Sequence, residues 1–157
     1  VRKAISIDST SKEMIKKEEK PLMSKTMLII EDDVVTRDLL RLVFEYEGFT
    51  CMEAENGAMG LAMLESQAFD MIILDHAMPV MTGLEFLENL RHKPQKSDAP
   101  VIMVTGLLNP NIREKATQLG AYAIVAKPYD LGELRALVSQ LCVKSPSLSE
   151  EPSLLPK

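Results

Sequence analysis

Four apolar runs in this sequence end in side chains that could handle a metal ion or a phosphate. Glu31, Asp32 and Asp33 follow Met27–Ile30, Asp75 follows Met71–Leu74, Thr105 closes the run from Val101, and Lys127 follows Ala123–Ala126. Taken singly these are ordinary: acids at a strand–helix junction cap helices, aspartate favours turns, and Lys127-Pro128 marks a strand end. Gathered in one crevice, however, carboxylates repel by roughly 4 kcal/mol per pair at about 4 Å and an effective dielectric near 20. Such a cluster needs neutralising. Mg2+, or Mn2+ in its place, fits, because hard cations prefer carboxylate and carbonyl oxygens and often complete their shell with a phosphate oxygen. Lys127 would add a point charge suited to a phosphate.

These groups meet only if the runs that carry them are neighbouring strands. The pattern supports that arrangement. After Met27–Ile30, the residues Val35, Leu39, Leu42 and Tyr46 recur at helical spacing until Gly48, which predicts a strand and then a helix with those four on its apolar face. A weaker strand is expected over Thr50–Ala54, then a helix opened by Asn56 with Ala58, Leu61, Ala62 and Leu64 inward. Met71–Leu74 is a third strand, Phe86, Leu87 and Leu90 mark a helix, and Val101–Val104 is a fourth strand. Ile112, Ala116 and Leu119 form the next helical stripe, Ala123–Ala126 the fifth strand, and Asp130 with Glu133 caps a last helix burying Leu134, Leu137, Val138 and Leu141. Five strand–helix pairs with continuous apolar strands predict an α/β fold, a parallel sheet covered on both faces. In such sheets ligands bind outside the carboxyl ends of the strands, where the polar groups lie.

Glu31-Asp32-Asp33 with Arg37, Asp75 with Met78-Pro79 and Gly83, Thr105-Gly106 and Lys127-Pro128 together resemble the receiver domain of two-component response regulators, over about residues 26–143. The resemblance implies a doubly wound, flavodoxin-like five-stranded sheet in the order 2-1-3-4-5. It implies that Asp75 takes a phosphoryl group from a histidine kinase or histidine phosphotransfer protein. By the same resemblance Glu31, Asp32, Asp75 and the backbone carbonyl of Ala77 hold Mg2+, Asp33 caps a helix, and Lys127 and Thr105 bind phosphoryl oxygens. Gly106 leaves room for the entering group, and Pro128 follows a cis bond. The chain would then be a phospho-accepting signalling protein rather than an enzyme.

Three positions depart from that pattern. Ile124 stands where the family usually has an aromatic switch residue, which shifts the expected reporter to Tyr122 or to the loop Leu107–Asn111. Ala77 and Leu107 occupy positions that tune loss of the phosphoryl group, and neither side chain can hydrogen-bond a water, so slow self-dephosphorylation is expected. His76 reads as a bystander and His92 as a surface residue.

Composition narrows the partners. Residues 1–26 carry seven basic and four acidic side chains and 144–157 two of each, so of the formal charge of −5 the centre carries −8. That disfavours direct nucleic-acid binding. No apolar run reaches the ~20 residues that span a bilayer, and Cys51 and Cys142 read as small core residues of a reducing compartment, so no membrane insertion and a cytoplasmic location are expected. The expected organisation is a disordered leader over 1–25, or residues added upstream of the natural start, a receiver over 26–143 and a disordered tail over 144–157. A stand-alone regulator acting through altered protein contacts on an unidentified target is the favoured reading. The alternatives are a receiver cut from a larger hybrid or multidomain protein, and a degenerate receiver serving only as an interaction module. A dehalogenase-type phosphatase needs a second acid two residues after the nucleophile, where this chain has Ala77.

Overall fold

A computed structural model describes residues 24–93 and 97–144, so the leader and tail expectations fall almost wholly outside the described residues. The elements alternate as expected: β1 Thr26–Ile30, α1 Val34–Tyr46, β2 Thr50–Ala54, α2 Gly57–Ser66, β3 Met71–Asp75, α3 Gly83–His92, β4 Val101–Thr105, α4 Pro110–Gln118, β5 Ala123–Ala126 and α5 Leu131–Lys144. All strands are parallel, in the order β2-β1-β3-β4-β5.

Alternation along the strands divides the interior in two. Met27, Ile29, Met71, Ile73, Ile102 and Val104 face Leu40 and Phe44 of α1 and Leu134, Val138 and Leu141 of α5. Leu28, Ile30, Ile72, Leu74, Val101 and Met103 face Leu61 of α2, Phe86, Leu87 and Leu90 of α3, and Ala116 of α4. With both faces covered, the strands have no solvent side, which is why they read as unbroken apolar runs. Helix starts are set by side-chain caps. Asp33, Asn56, Thr82 and Asn109 accept from the third residue onward, and Thr82 forms a full capping box with Glu85. Asp130 accepts from the Glu133 amide, at 3.0 Å.

Two helical faces differ from expectation. In α1, Val35, Leu39, Leu42 and Tyr46 are the solvent face, 71, 46, 57 and 89% exposed, while Leu40 and Phe44 are buried. The helix carries two apolar stripes, and spacing alone does not say which one meets the sheet. Phe44 decides it, because its ring is fully buried and packs edge-on against Phe49, at a centroid distance of 6.0 Å. In α2, Leu61 and Leu64 face inward as expected, but Ala58 and Ala62 are exposed and Gly57 and Gly60 complete the inward side. A Cβ on Gly60 would lie 2.5 Å from Ile30 Cδ1, so its lack of a side chain lets α2 close directly onto β1. Among the described residues no helix is long and apolar enough to cross a membrane.

Candidate functional site

Strand register brings the acids to one level. Ile30 pairs with Leu74, so Glu31 and Asp75, each one residue further, emerge side by side at the carboxyl edge of the sheet. Thr105 pairs with Ala126, and the Lys127 amide donates to the Thr105 carbonyl at 2.8 Å, which places Lys127 at the same edge. Glu31, Asp75 and Thr105 are buried at 3, 4 and 0% exposure, and Asp32 is open to solvent.

One lysine serves two of the three acids. Lys127 Nζ lies 3.0 Å from Glu31 Oε2 and 3.2 Å from Asp75 Oδ1. Glu31 Oε1 accepts the Asp33 amide at 3.1 Å, which holds the glutamate in place from its other oxygen. Single carboxylate oxygens of Glu31, Asp32 and Asp75 all lie within 4.8 Å of one another. Burial pushes the Glu31 and Asp75 carboxyls above their ordinary range in spite of Lys127. Burial opposes the lysine's charge too, but its hydrogen bond to Glu31 and the two carboxylates together carry its pKa above the ordinary lysine value. The site thus holds more negative charge than its one ammonium neutralises. Its donors are oxygens only, without His or Cys, and this set fits a hard divalent cation.

The supporting residues are local. Asp33 is the α1 cap, accepting from the Thr36 amide at 2.8 Å and the Thr36 hydroxyl at 2.6 Å, and it is not part of the acidic cluster. The Thr105 hydroxyl accepts the Leu107 amide at 3.0 Å. Gly83 opens α3 with its amide donating to the His76 carbonyl at 2.9 Å. A Cβ there would stand 2.8 Å from both the Asp75 carbonyl oxygen and His76 Cα, so glycine lets α3 press on the backbone of the acidic residue itself. A Cβ on Gly106 would meet only Lys127 Cβ, at 3.9 Å, so the protein atoms alone do not demand glycine there.

The remaining expected residues lie around this cluster. The Lys127–Pro128 bond is cis. Ala77 and Leu107 lie in exposed loops beside the site. Ile124 packs partly buried against the α2–α4 side. Tyr122 is 49% exposed, and its amide donates to the carbonyl of Val101 at 2.8 Å, at the amino end of the sheet and therefore far from Lys127. His76 stays outside the acidic cluster, and His92 is exposed, with Nδ1 2.7 Å from the Glu88 carbonyl. The cysteines are free and half-buried, and burial pushes the Cys51 thiol up to about 12, as befits an inert core residue.

Three neighbours of the site are not evident from sequence. Tyr129 stands half-buried beside Lys127, where burial raises its phenol pKa. Val80, in the loop after β3, adopts φ 70° while 80% exposed, a conformation that a β-branched residue gives no reason to expect. Arg37 is visible as part of a motif, but its contacts are not. A groove of about 530 Å³ opens beside Lys127, lined by Thr36, Leu39, Lys127, Pro128, Tyr129 and Leu131.

Comparison with known proteins agrees with this geometry. A family model described as response regulator receiver domain matches residues 27–139. An uncharacterized 14.6 kDa protein of Leptolyngbya boryana is 34% identical over 125 residues, covering 80% of this chain and 95% of that one. Sporulation initiation phosphotransferase F of Bacillus subtilis is 32% identical, covering 76% of this chain and 94% of its own length. Two other relatives, transcriptional regulators by name, are matched over only 58 and 55% of their length. Among solved structures, the response regulator TrrA of Thermotoga maritima, in complex with Mg2+-BeF, has a TM-score of 0.65 and 32% identity, with 74% of this chain and 98% of that one covered.

Proposed function

The chain belongs to the response regulator receiver domain family, and from that premise we propose that Asp75 is the phospho-acceptor of a Mg2+-assisted transfer. The observation that carries this is the convergence of Glu31, Asp32 and Asp75 oxygens within 4.8 Å, with Lys127 Nζ 3.2 Å from Asp75. An Asp75 carboxylate oxygen attacks the phosphorus of a phosphohistidine on a histidine kinase or phosphotransfer protein. The P–N bond breaks, its electron pair stays on the imidazole nitrogen, and an O–P bond forms. Glu31, Asp32, Asp75 and the Ala77 carbonyl are the residues to hold Mg2+, which when bound offsets the charge crowding between nucleophile and phosphoryl oxygens. Lys127 exchanges carboxylate contacts for a phosphoryl oxygen, and the Thr105 hydroxyl binds another. Gly106 belongs to the approach of that group. Mn2+ should substitute.

The donor protein is proposed to dock over the apolar solvent face of α1, which adjoins the groove beside Lys127. Output would run through protein contacts. When the Thr105 hydroxyl turns to the phosphoryl group it gives up the Leu107 amide, which frees the loop Leu107–Asn111; Tyr122, before the other end of β5, is the second candidate reporter. Ala77 and Leu107 offer no side-chain hydrogen bond to an attacking water, which supports slow self-dephosphorylation. A half-life of seconds that Ala77→Asn leaves unchanged contradicts that part. The acidic domain argues against direct nucleic-acid binding, and a stand-alone cytoplasmic regulator is the proposed setting.

The test is incubation with acetyl phosphate and Mg2+, comparing wild type with Asp75→Asn. Hydroxylamine-sensitive label present in the first and missing in the second supports the assignment. Equal label in both defeats it.

A further inference from the structure

We propose that Arg37 is a positioning residue for the acidic cluster, clamping the Glu31–Asp32 turn in the shape that grips a divalent cation. This rests on the reading of Glu31 and Asp32 as cation ligands. The guanidinium is turned inward, its side chain 15% exposed. Its Nη1 donates to the Glu31 carbonyl at 2.7 Å and approaches the Asp32 carbonyl at 3.5 Å. Its Nε pairs with Glu53 Oε1 at 3.3 Å, and Glu53 also holds Arg41 Nε at 3.1 Å.

The backbone of Glu31 is thereby pinned from both sides. Its amide donates to the Ala54 carbonyl at 3.1 Å, and its carbonyl accepts from Arg37. With the two flanking peptide planes held, φ and ψ at Glu31 are fixed, and so is the direction in which its carboxylate leaves the chain. Both pins trace to β2, since Ala54 supplies one and Glu53 anchors the other. Arg37 also donates its own amide to the Asp33 carbonyl at 2.9 Å, in the first turn of α1. One residue therefore starts the helix and closes the turn before it. A hydrogen-bonding partner that orients a ligand typically changes metal affinity by roughly 10- to 100-fold when lost.

The sign of the effect separates positioning from charge. Removing a cationic side chain near a cation site, acting through charge alone, would tighten binding. Loss of a clamp weakens it.

The experiment is calorimetric titration of the full chain with MgCl2 for wild type, Arg37→Ala, Arg37→Lys and Arg37→Met, with acetyl phosphate labelling at limiting and saturating Mg2+. Arg37→Ala should raise the Mg2+ Kd about tenfold or more. Arg37→Lys keeps the charge but is one bond shorter and cannot hold Glu53 and the Glu31 carbonyl together, so it should recover only part of the loss. At saturating Mg2+ the alanine variant should label at the wild-type rate, because Asp75, Lys127 and Thr105 are untouched. An unchanged or lower Kd in a natively folded Arg37→Ala protein overturns the proposal, as does a labelling rate that saturating Mg2+ does not restore. Should the alanine variant fail to fold, Arg37→Met, which keeps the aliphatic stem without charge or donor, decides: a weaker Kd supports the clamp, and an unchanged or tighter one overturns it. Wild-type protein that neither binds Mg2+ nor takes label defeats the ligand assignment itself, a result distinct from wild-type binding with an indifferent Arg37→Ala.

Discussion

Replacing Asp75 with asparagine should stabilise the cation-free protein and remove most of the stability that Mg2+ adds. At 3.2 Å, Lys127 attracts the Asp75 carboxylate by about 5 kcal/mol with an effective dielectric near 20. Glu31 and Asp32, with oxygens within 4.8 Å, repel it by at least about 3.5 kcal/mol apiece on the same scale. On this scale repulsion exceeds attraction by about 2 kcal/mol, and burial, the main cause of the raised pKa of this group, opposes its charge as well. Asparagine keeps the shape without the charge. After solvent screening a gain of about 1–2 kcal/mol is expected, raising Tm in EDTA by about 3–6 °C. Mg2+ at about 100 times its Kd should stabilise wild type by about 2.7 kcal/mol, so the order of melting temperatures inverts when the cation is added. The asparagine advantage is present at neutral pH and disappears as pH falls through the raised pKa of Asp75, where the wild-type carboxyl takes up its proton. Thermal unfolding followed by circular dichroism, in EDTA and in Mg2+, measures all of this. An asparagine variant that melts below wild type in EDTA, or gains as much from Mg2+, refutes the reasoning.

Leu42→Asp should leave stability within about 0.5 kcal/mol of wild type, whereas Phe44→Ala should lose about 3–5 kcal/mol, both read from urea midpoints. Similar losses at the two positions would mean that α1 faces the sheet the other way. Val80→Asn, which suits the left-handed conformation better than a β-branched residue, should raise stability by about 1 kcal/mol in the same assay. The bonds from Thr36 hold the Asp33 carboxyl below its ordinary value of 3.8, so its charged cap is fully effective above that pH and fails as pH falls through the lower folded value. A melting difference between wild type and Asp33→Asn should accordingly be flat from pH 7 to about 5 and shrink toward pH 2; a difference that grows on acidification contradicts it.

The strands, their ends and the acids after them were legible because both faces of the sheet are covered, and an unbroken apolar run as short as Met71–Leu74 fits little besides a strand buried on both sides. Thr50–Ala54 was harder, lying at the sheet edge with Glu53 in it, yet its bounds agree. The inward face of α1 was not legible. Periodicity gives an angle around a helix, not the identity of the surface it meets, and here a second apolar stripe, free of the sheet, carried the stronger signal. The inward side of α2 was legible only in part: Leu61 and Leu64 are there, but Gly57 and Gly60 have no apolar side chain to announce them. At the site, the residue types Glu31, Asp32, Asp75 and Lys127 could be read, but not that one ammonium bridges Glu31 and Asp75, nor that Arg37 reaches the backbone between the acids. Such contacts depend on register and rotamer rather than on residue type.

The division of the interior by the sheet has a consequence for how substitutions combine. Phe44 on one side and Phe86 on the other share no packing cluster, being separated by the full thickness of the strands. Energetic effects of residues without common partners add. Repacking the α2–α4 side can thus proceed almost independently of the α1–α5 side that flanks the groove beside Lys127. At the carboxyl edge consecutive residues such as Ile30 and Glu31 pass from core to chemistry, and it is there that non-additive pairs of substitutions should concentrate.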